Sequence, residues 1–377
     1  MVNVAAGRGI GDRGAVHPLR ICMVGPLPPP SGGMANQCEQ LTRLLRAEGL
    51  QVELVRTNAP YRPTQVGSVP VLRALFRFVP YAVRLWSMAG RADVMHVLAN
   101  SGWAWYLFAA PALIVARIRN VPVVVNYRGG NADVFFARAP KFVFQMLARV
   151  ALRVTPSMFL VRVFKQYGLS AEVIPNIIDL SRFTVAPARS FGTAPHIVVT
   201  RNLERIYDIP TAIRAFAGVQ RVFRGARLTV AGSGPELERL RELANGLSLG
   251  DSVHFPGRID NADIPALYAA ADCLVNPSTV DNMPNSILEA FASGVPVVST
   301  NAGGIPDMAA DGVSALLAPV GDDGAIARQV VRVLQDPALA AALRRAGLAE
   351  AEKYGWQRVK MQWLNAYRRA ASSRVAT

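Results

Sequence analysis

Residues 276–300 read NPSTVDNMPNSILEAFASGVPVVST. The apolar run ADCLV at 271–275 leads into them, and VPVVST at 295–300 closes them. Between the two runs lie a loop broken by Pro284, a helical pattern over 286–293 and Gly294 as a stop. A short strand, a turn, a helix and a second buried strand make one βαβ unit, which implies a parallel sheet. Asp281 and Glu289 flank the helix start, eight residues apart. At such a start the amides of Asn285, Ser286 and Ile287 lack helical partners and favour an anion. A carboxylate one turn inside the helix can accept from paired sugar hydroxyls. The spacing alone equally fits an ordinary cap and a surface charge.

Working outward, the same rhythm fills the chain. Apolar runs at 19–24, 52–55, 93–98, 121–126, 150–154 and 172–174 alternate with helical patterns at 35–48, 70–88 and 103–118. Residues 175–195 hold Pro175, Pro187, Gly192 and Pro195 and read as a linker. The rhythm restarts with strands at 196–200, 226–231, 252–255, 271–275 and 295–300, separated by helices. Such alternation predicts an α/β chain of two Rossmann-like domains facing across a cleft. We expect a flexible tail over 1–18, a first Rossmann-like domain over 19–185 and a second over 186–355. The segment 356–377 carries a last helical pattern.

Composition narrows the classes. In 377 residues, 51% are hydrophobic and 18% charged, too apolar for a disordered chain. Three cysteines, Cys22, Cys38 and Cys273, form no C-x-x-C pair, and four histidines share no i, i+4 spacing, so no metal site is expected. Net charge is +15, of which residues 1–185 carry +13, from 21 basic against 8 acidic side chains. The first half therefore suits an anionic partner. No helix-turn-helix, zinc-finger or RNP pattern supports nucleic acid. The longest apolar stretch, 103–116, contains Pro111 and is too short to span a bilayer. With no hydrophobic leader upstream of residue 20, the expected location is cytoplasmic, peripheral on the inner face of the plasma membrane.

Three glycine loops follow strands and precede helices: Gly32 and Gly33 in PPPSGG, Gly232 and Gly234 in AGSGPE, and Gly303 and Gly304 in NAGGIP. Each would let backbone approach a phosphate, and each fits a packing role equally well. In residues 70–88, Arg73, Arg77 and Arg84 fall near one helical face, interleaved with Phe76, Phe78, Tyr81 and Trp86. That pattern suits an anionic membrane surface and a lipid-linked acceptor.

The segment STVDNMPNSILEAFASG resembles the E-x7-E signature of the family 4 glycosyltransferases of GT-B fold, which transfer a sugar from a nucleotide-sugar donor with retention. The likeness runs on through VGPLPPPSGGMANQ, AEVIPNIIDLSRF, LTVAGSGPELERL, VHFPGRIDNADIPALYAAADCLVNPS and SGVPVVSTNAGGIPDM. It implies an acceptor-side domain over 19–185, a nucleotide-sugar-binding domain over 186–355 and, from YGWQRVKMQWLNAYRRA at 354–370, a last segment 356–377 that returns as a helix to brace the first domain. It also implies that Glu289 receives the donor ribose and that Asp281 sits beside the transferred sugar. Asn282, Met283, Pro284, Asn285 and Ser286 would hold sugar and diphosphate through backbone amides. Gly33, with Gly32, would approach the phosphate, and Arg258 would lie beside the base.

Three departures stand out. Asp281 replaces the first glutamate of the signature. The text RNLERIYDIP places Asn202 and Tyr207 where the family carries an Arg and a Lys, leaving Arg201 and Arg205 to supply the charge. Arg128, in NYRGG, stands where the family often has a histidine; it cannot act as a base at neutral pH but can bind phosphate. The expected enzyme is thus a retaining hexosyltransferase of cell-surface or exopolysaccharide synthesis, taking a nucleotide-diphosphate sugar as co-substrate and a saccharide or lipid-linked acceptor. It needs no obligatory metal, and Asp281 and Arg128 are its catalytic candidates. The alternatives are a non-catalytic sugar-nucleotide binder and a sugar-nucleotide epimerase; an oxidoreductase would require a G-x-G-x-x-G turn that neither half supplies.

Overall fold

A computed structural model describes residues 18–29, 32–60, 70–185, 192 and 194–373, with backbone alone for 70–75. Expectations for residues 1–17, for Pro30 and Ser31, and for the Arg73 side chain lie outside the described residues. Strands β1 (Arg20–Gly25), β2 (Gln51–Arg56), β3 (Val94–Ala99), β4 (Val123–Tyr127), β5 (Leu152–Thr155) and β6 (Glu172–Val173) form one sheet. Its order is β2-β1-β3-β4-β5-β6, and every pairing is parallel. A parallel sheet is covered on both faces, so its strands read as continuous apolar runs. β3, VMHVLA, is buried along its whole length.

Helix α1 (Gly33–Ala47) covers one face of this sheet. Helices α2 (Pro70–Ala89), α3 (Ala110–Ile118), α4 (Ala132–Arg138), α5 (Lys141–Ala148) and α6 (Met158–Gln166) are the rest of this domain's helices. The pattern at 103–118 differs from a plain helix, because Trp105–Ala109 winds as a π segment ahead of α3. There the indole of Trp105 is fully buried, with ring centres 6.4 Å from Tyr127 and 6.1 Å from Phe135.

The second sheet holds β7 (His196–Thr200), β8 (Arg227–Ala231), β9 (Val253–Gly257), β10 (Cys273–Asn276), β11 (Val297–Thr300) and β12 (Leu316–Ala318). It too is all parallel, but in the order β12-β11-β10-β7-β8-β9. Helices α7 (Ile209–Val222), α8 (Leu237–Gly246), α9 (Ile264–Ala269), α10 (Asn285–Ser293), α11 (Asp323–Gln335) and α12 (Pro337–Glu352) belong to this half.

The last helix, α13 (Trp356–Ser372), lies against the first sheet. Val359, Trp363, Ala366, Tyr367 and Ala370 recur at helical spacing and are buried with Ile21, Met23 and Val124. Tyr367 Oη meets His96 Nδ1 at 2.7 Å. Complete burial holds the His96 imidazole down at about 3, so it is neutral in the core. The chain thus crosses between domains twice. The crossings run side by side, with the Ile178 amide donating to the Tyr354 carbonyl at 3.0 Å.

Candidate functional site

In open parallel sheets, ligands settle at the carboxyl ends of strands, where the strand order reverses. In the second sheet that point lies between β7 and β10. A polar cavity of about 150 Å³ sits there, walled by Thr200, Arg201, Gly232, Arg258, Ser286 and Glu289 from this domain and by Gly32, Gly33 and Asn36 from the first. The two domains meet across it. Asn36 Nδ2 donates to Asn261 Oδ1 at 3.1 Å, and Asn285 Nδ2 donates to the Gly33 carbonyl at 3.3 Å.

Helix α10 delivers two of these groups. Pro284 caps it with extended backbone, and no side chain caps its first amides. Asn285 and Ser286 are thereby left with free N–H groups at the cavity wall. Ile287, expected to join them, instead donates to the Pro284 carbonyl at 3.2 Å. One turn on, Glu289 accepts from Tyr268 Oη at 3.2 Å. Tyr268 Oη also lies 2.6 Å from Thr200 Oγ1 and 3.1 Å from the Ser286 carbonyl oxygen. Burial pushes the Glu289 carboxyl up to about 7, against the pull of Tyr268, Arg182 and Arg201.

Arg201 follows β7 and is nearly buried. Its guanidinium pairs with Asp281 and lies over the Tyr207 ring, 4.0 Å from the centroid. Asp281 also accepts from Ser278 Oγ at 3.3 Å and from the Asn282 amide at 3.0 Å. Burial pushes its carboxyl up, and Arg201 pulls it back. Asp281 therefore stands behind Arg201 and is absent from the cavity wall, where a sugar contact was expected. The shorter aspartate, with both oxygens engaged, anchors the arginine. Asn282, Met283 and Pro284 are likewise not on the wall: all three are buried under the first domain, and the Asn282 amide is taken by Asp281.

Arg205 departs further. It is 86% exposed, faces Glu236 at 3.4 Å and does not line the cavity, because a short 3₁₀ turn over Arg205–Tyr207 points it outward and brings Tyr207 in. Arg128 lies just past β4. Its Nη1 donates to Asn176 Oδ1 at 2.7 Å, and its carbonyl accepts from Asn282 Nδ2 at 3.0 Å. Desolvation lowers the guanidinium to about 10, which leaves it charged at neutral pH. Arg128 sits at the domain seam beside the loop that leads into α10, outside the cavity wall.

The glycines divide by role. A Cβ at Gly32 would meet nothing within 4 Å, and one at Gly33 only Asn285 Nδ2 at 3.5 Å, so this loop offers open backbone. A Cβ at Gly232 would lie 1.9 Å from the Arg201 carbonyl oxygen, and those at Gly303 and Gly304 2.1 Å from the carbonyls of Asp281 and Asn282. These three are needed for close backbone packing that shapes the Arg201 and Asp281 loops.

Buried polar atoms nearly always have partners. Among the buried side-chain atoms of the described residues that lack a partner, Asn36 Oδ1, Arg201 Nε and Ser286 Oγ belong to residues of the cavity wall, and Arg128 Nε and Asn282 Oδ1 to residues at the domain seam. Sequence reasoning missed Asn36, Gln37, Asn176 and Tyr268. Asn176 could have been flagged as a polar residue inside the apolar run VIPNII; Tyr268, in LYAAAD, carries no local signal.

On α2, Arg84 is exposed but Arg77 is half-buried, since it lies one turn before the buried Tyr81. The outward face is more apolar than the expected arginine stripe: Phe76, Val79, Val83 and Trp86 are exposed at spacings of three and four. On the adjacent helix, Trp103, Leu107, Ile114 and Ile118 are exposed at spacings of four, seven and four. The Arg119 guanidinium lies over the Trp86 ring at 5.0 Å and joins the two stripes. Among the described residues, no helix is long and apolar enough to cross a membrane.

Comparison with known proteins agrees with this geometry. The family model for Glycosyltransferase Family 4 matches residues 31–182, and that for glycosyl transferases group 1 matches residues 184–349. The phosphatidyl-myo-inositol mannosyltransferase of Mycobacterium leprae is 26% identical over 91% of this chain and 94% of its own. Sucrose-phosphate synthase from Thermosynechococcus elongatus superimposes with a TM-score of 0.73 at 20% identity, covering 94% of this chain and all of that one. Anabaena HepE, solved with UDP and glucose, gives a TM-score of 0.72 at 20% identity over 92% of this chain and 98% of its own. With both halves matched in order, and a GT-B arrangement of two six-stranded parallel sheets around the cavity, the chain belongs to the family 4 glycosyltransferases and is a nucleotide-sugar-dependent glycosyltransferase.

Proposed function

We propose that this glycosyltransferase is a retaining hexosyltransferase that moves a sugar from a nucleoside-diphosphate donor to a lipid-linked saccharide acceptor, in cell-surface or exopolysaccharide synthesis, at the cytoplasmic face of an anionic membrane. The observation that carries the reading is the shared cavity wall of Glu289 and the α10 N-terminus. An ionised Glu289 accepts from the two ribose hydroxyls. The free amides of Asn285 and Ser286 then meet the diphosphate, with Arg201 behind them and the open backbone of Gly33 opposite.

When the anomeric bond breaks, negative charge grows on the departing phosphate oxygen. Preorganised amides and a guanidinium in a cleft shielded from water stabilise it without rearrangement. Arg201 is well placed for this, because Asp281 and Tyr207 hold it still. In this reading the positive charge comes from the protein, so activity persists in EDTA; loss of turnover restored by Mg²⁺ or Mn²⁺ contradicts it. Among the described wall residues Glu289 is the only carboxylate, and it serves the ribose. With no base beside the sugar, the acceptor hydroxyl is best placed to attack from the leaving-group side and hand its proton to the departing phosphate. That course retains configuration. NMR of the product decides it, and an inverted anomer refutes the reading.

The acceptor is read from the first domain. Residues 70–120 hold six arginines against one acid, Asp93. Beside them stand two exposed apolar stripes, on α2 and on the segment running into α3. A basic surface with exposed Trp and aliphatic side chains suits shallow insertion into an anionic bilayer. The Mycobacterium leprae relative, named for a phosphatidyl-inositol acceptor, supports a lipid-linked one here. Flotation with anionic vesicles, but not with zwitterionic ones, is the expected result.

A further inference from the structure

Asn176 lies between β6 and the first crossing of the domain seam, and it is only 5% exposed. Its carboxamide joins three separate parts of the chain. Oδ1 accepts from Arg128 Nη1 at 2.7 Å. Nδ2 donates both hydrogens, to the Met283 carbonyl at 2.8 Å and to Asn285 Oδ1 at 3.0 Å. Asn285 in turn accepts from Gln37 Nε2 at 3.4 Å and donates to the Gly33 carbonyl. Gln37 clamps the neighbouring Ile177, accepting from its amide at 2.9 Å and donating to its carbonyl at 2.7 Å. Neither Asn176 nor Gln37 lines the cavity. The network therefore reaches the donor loop only from behind.

We propose that Asn176 is a positioning residue of the transfer: one carboxamide sets the distance between Arg128 on the first domain and the Met283–Asn285 turn that opens α10 on the second. This rests on the reading that the α10 N-terminus holds the donor diphosphate. A fixed turn aims its amides at the leaving oxygen, and an error of about 1 Å there costs on the order of a hundredfold in rate. The amide is the only side chain of this size that can accept from Arg128 while donating twice to the turn. Aspartate keeps the bond to Arg128, now as an ion pair, but sets oxygen against both the Met283 carbonyl and Asn285 Oδ1.

The test uses the full chain and Asn176→Asp. Its melting temperature is expected within about 3 °C of the unsubstituted protein, and thermal stabilisation by UDP or GDP within about threefold in affinity. Amide hydrogen exchange should accelerate together at 282–287 and 33–37. Nucleotide release, measured with whichever of UDP-glucose and GDP-mannose the unsubstituted protein turns over, should fall at least about tenfold in kcat with little change in KM. A structural amide would move stability and leave kcat per folded molecule alone. Unchanged exchange at both segments, or kcat within twofold, overturns the proposal. If Asn176→Asp does not fold, Asn176→Ser, which loses the reach to Met283 and Asn285, carries the same expectations. Failure of the underlying reading looks different: neither nucleotide then stabilises the unsubstituted protein, while the exchange comparison still decides whether Asn176 holds the turn.

Discussion

The two domains are built from one plan and used in opposite ways. Each is a six-stranded parallel sheet with helices on both faces, yet the strand orders differ: β2-β1-β3-β4-β5-β6 in the first and β12-β11-β10-β7-β8-β9 in the second. The second domain concentrates its chemistry at the carboxyl edge of the sheet, where Thr200, Arg201, Gly232 and Arg258 follow strands. Its net charge is only +2 over residues 186–377. The first domain carries +13, and its distinctive surface is an outer helical face bearing exposed Val83, Trp86, Ile114 and Ile118. An edge offers unpaired amides for a small anion; a face offers area for a large apolar partner. In the proposed function, that division lets one architecture hold a water-soluble donor and a lipid-borne acceptor on opposite sides of a cleft.

The comparison breaks most readily at Arg201. Arg201→Ala removes the fixed cation of the donor side, and kcat should fall by about 10²–10³-fold. If Asp281 acts only by holding Arg201, Asp281→Asn on that background adds little further loss, since residues acting as a unit are not additive. A full additional loss would return Asp281 to direct contact with the sugar. Next comes Glu289→Ala, which deletes a charged acceptor for two hydroxyls and should weaken nucleotide binding by about 10–100-fold in calorimetry.

On the first domain, Val83→Asp with Ile118→Asp should lower anionic-vesicle binding by about tenfold and leave turnover of a short-chain, detergent-free acceptor unchanged. Loss of both together would mean that the apolar face belongs to the fold and not to a membrane.

The smallest effect is in pH. The Glu289 carboxyl sits at about 7 in the folded protein against an ordinary 4.5. Between those values the folded state binds more protons than the unfolded one, so this group's contribution to stability falls as pH rises through 4.5 to 7 and levels off above. Nucleotide binding requires the ionised acceptor and should strengthen severalfold between pH 6 and 8. Glu289→Gln should flatten both profiles.

Much of this was legible from residue order. The run 276–300 showed a strand, a loop, a helix start at Asn285 and a carboxylate at Glu289, because hydrophobic period and Pro/Gly punctuation are local properties. The site was only partly legible. Arg201 and Arg205 look alike four residues apart, yet one is nearly buried against Asp281 and the other is 86% exposed. A short turn decides between them, and nothing in the composition of RNLERIY reveals its direction.

By itself, the sequence determined the βαβ alternation, its doubling into two halves and the charge imbalance between them, all written in nearest neighbours and periodicity; the signature around Asp281 and Glu289 was read from resemblance to a family. Only the tertiary structure decided that Asp281 anchors an arginine, that Gly303 and Gly304 pack against the carbonyls of Asp281 and Asn282, and that Asn176, Gln37 and Asn285 join the domains. The hydrogen bonds among them link residues far apart in the chain, 80 positions for Arg201–Asp281 and 248 for Gln37–Asn285. Hydrogen-bond partners at such separations are chosen by how two sheets dock, which no local pattern encodes.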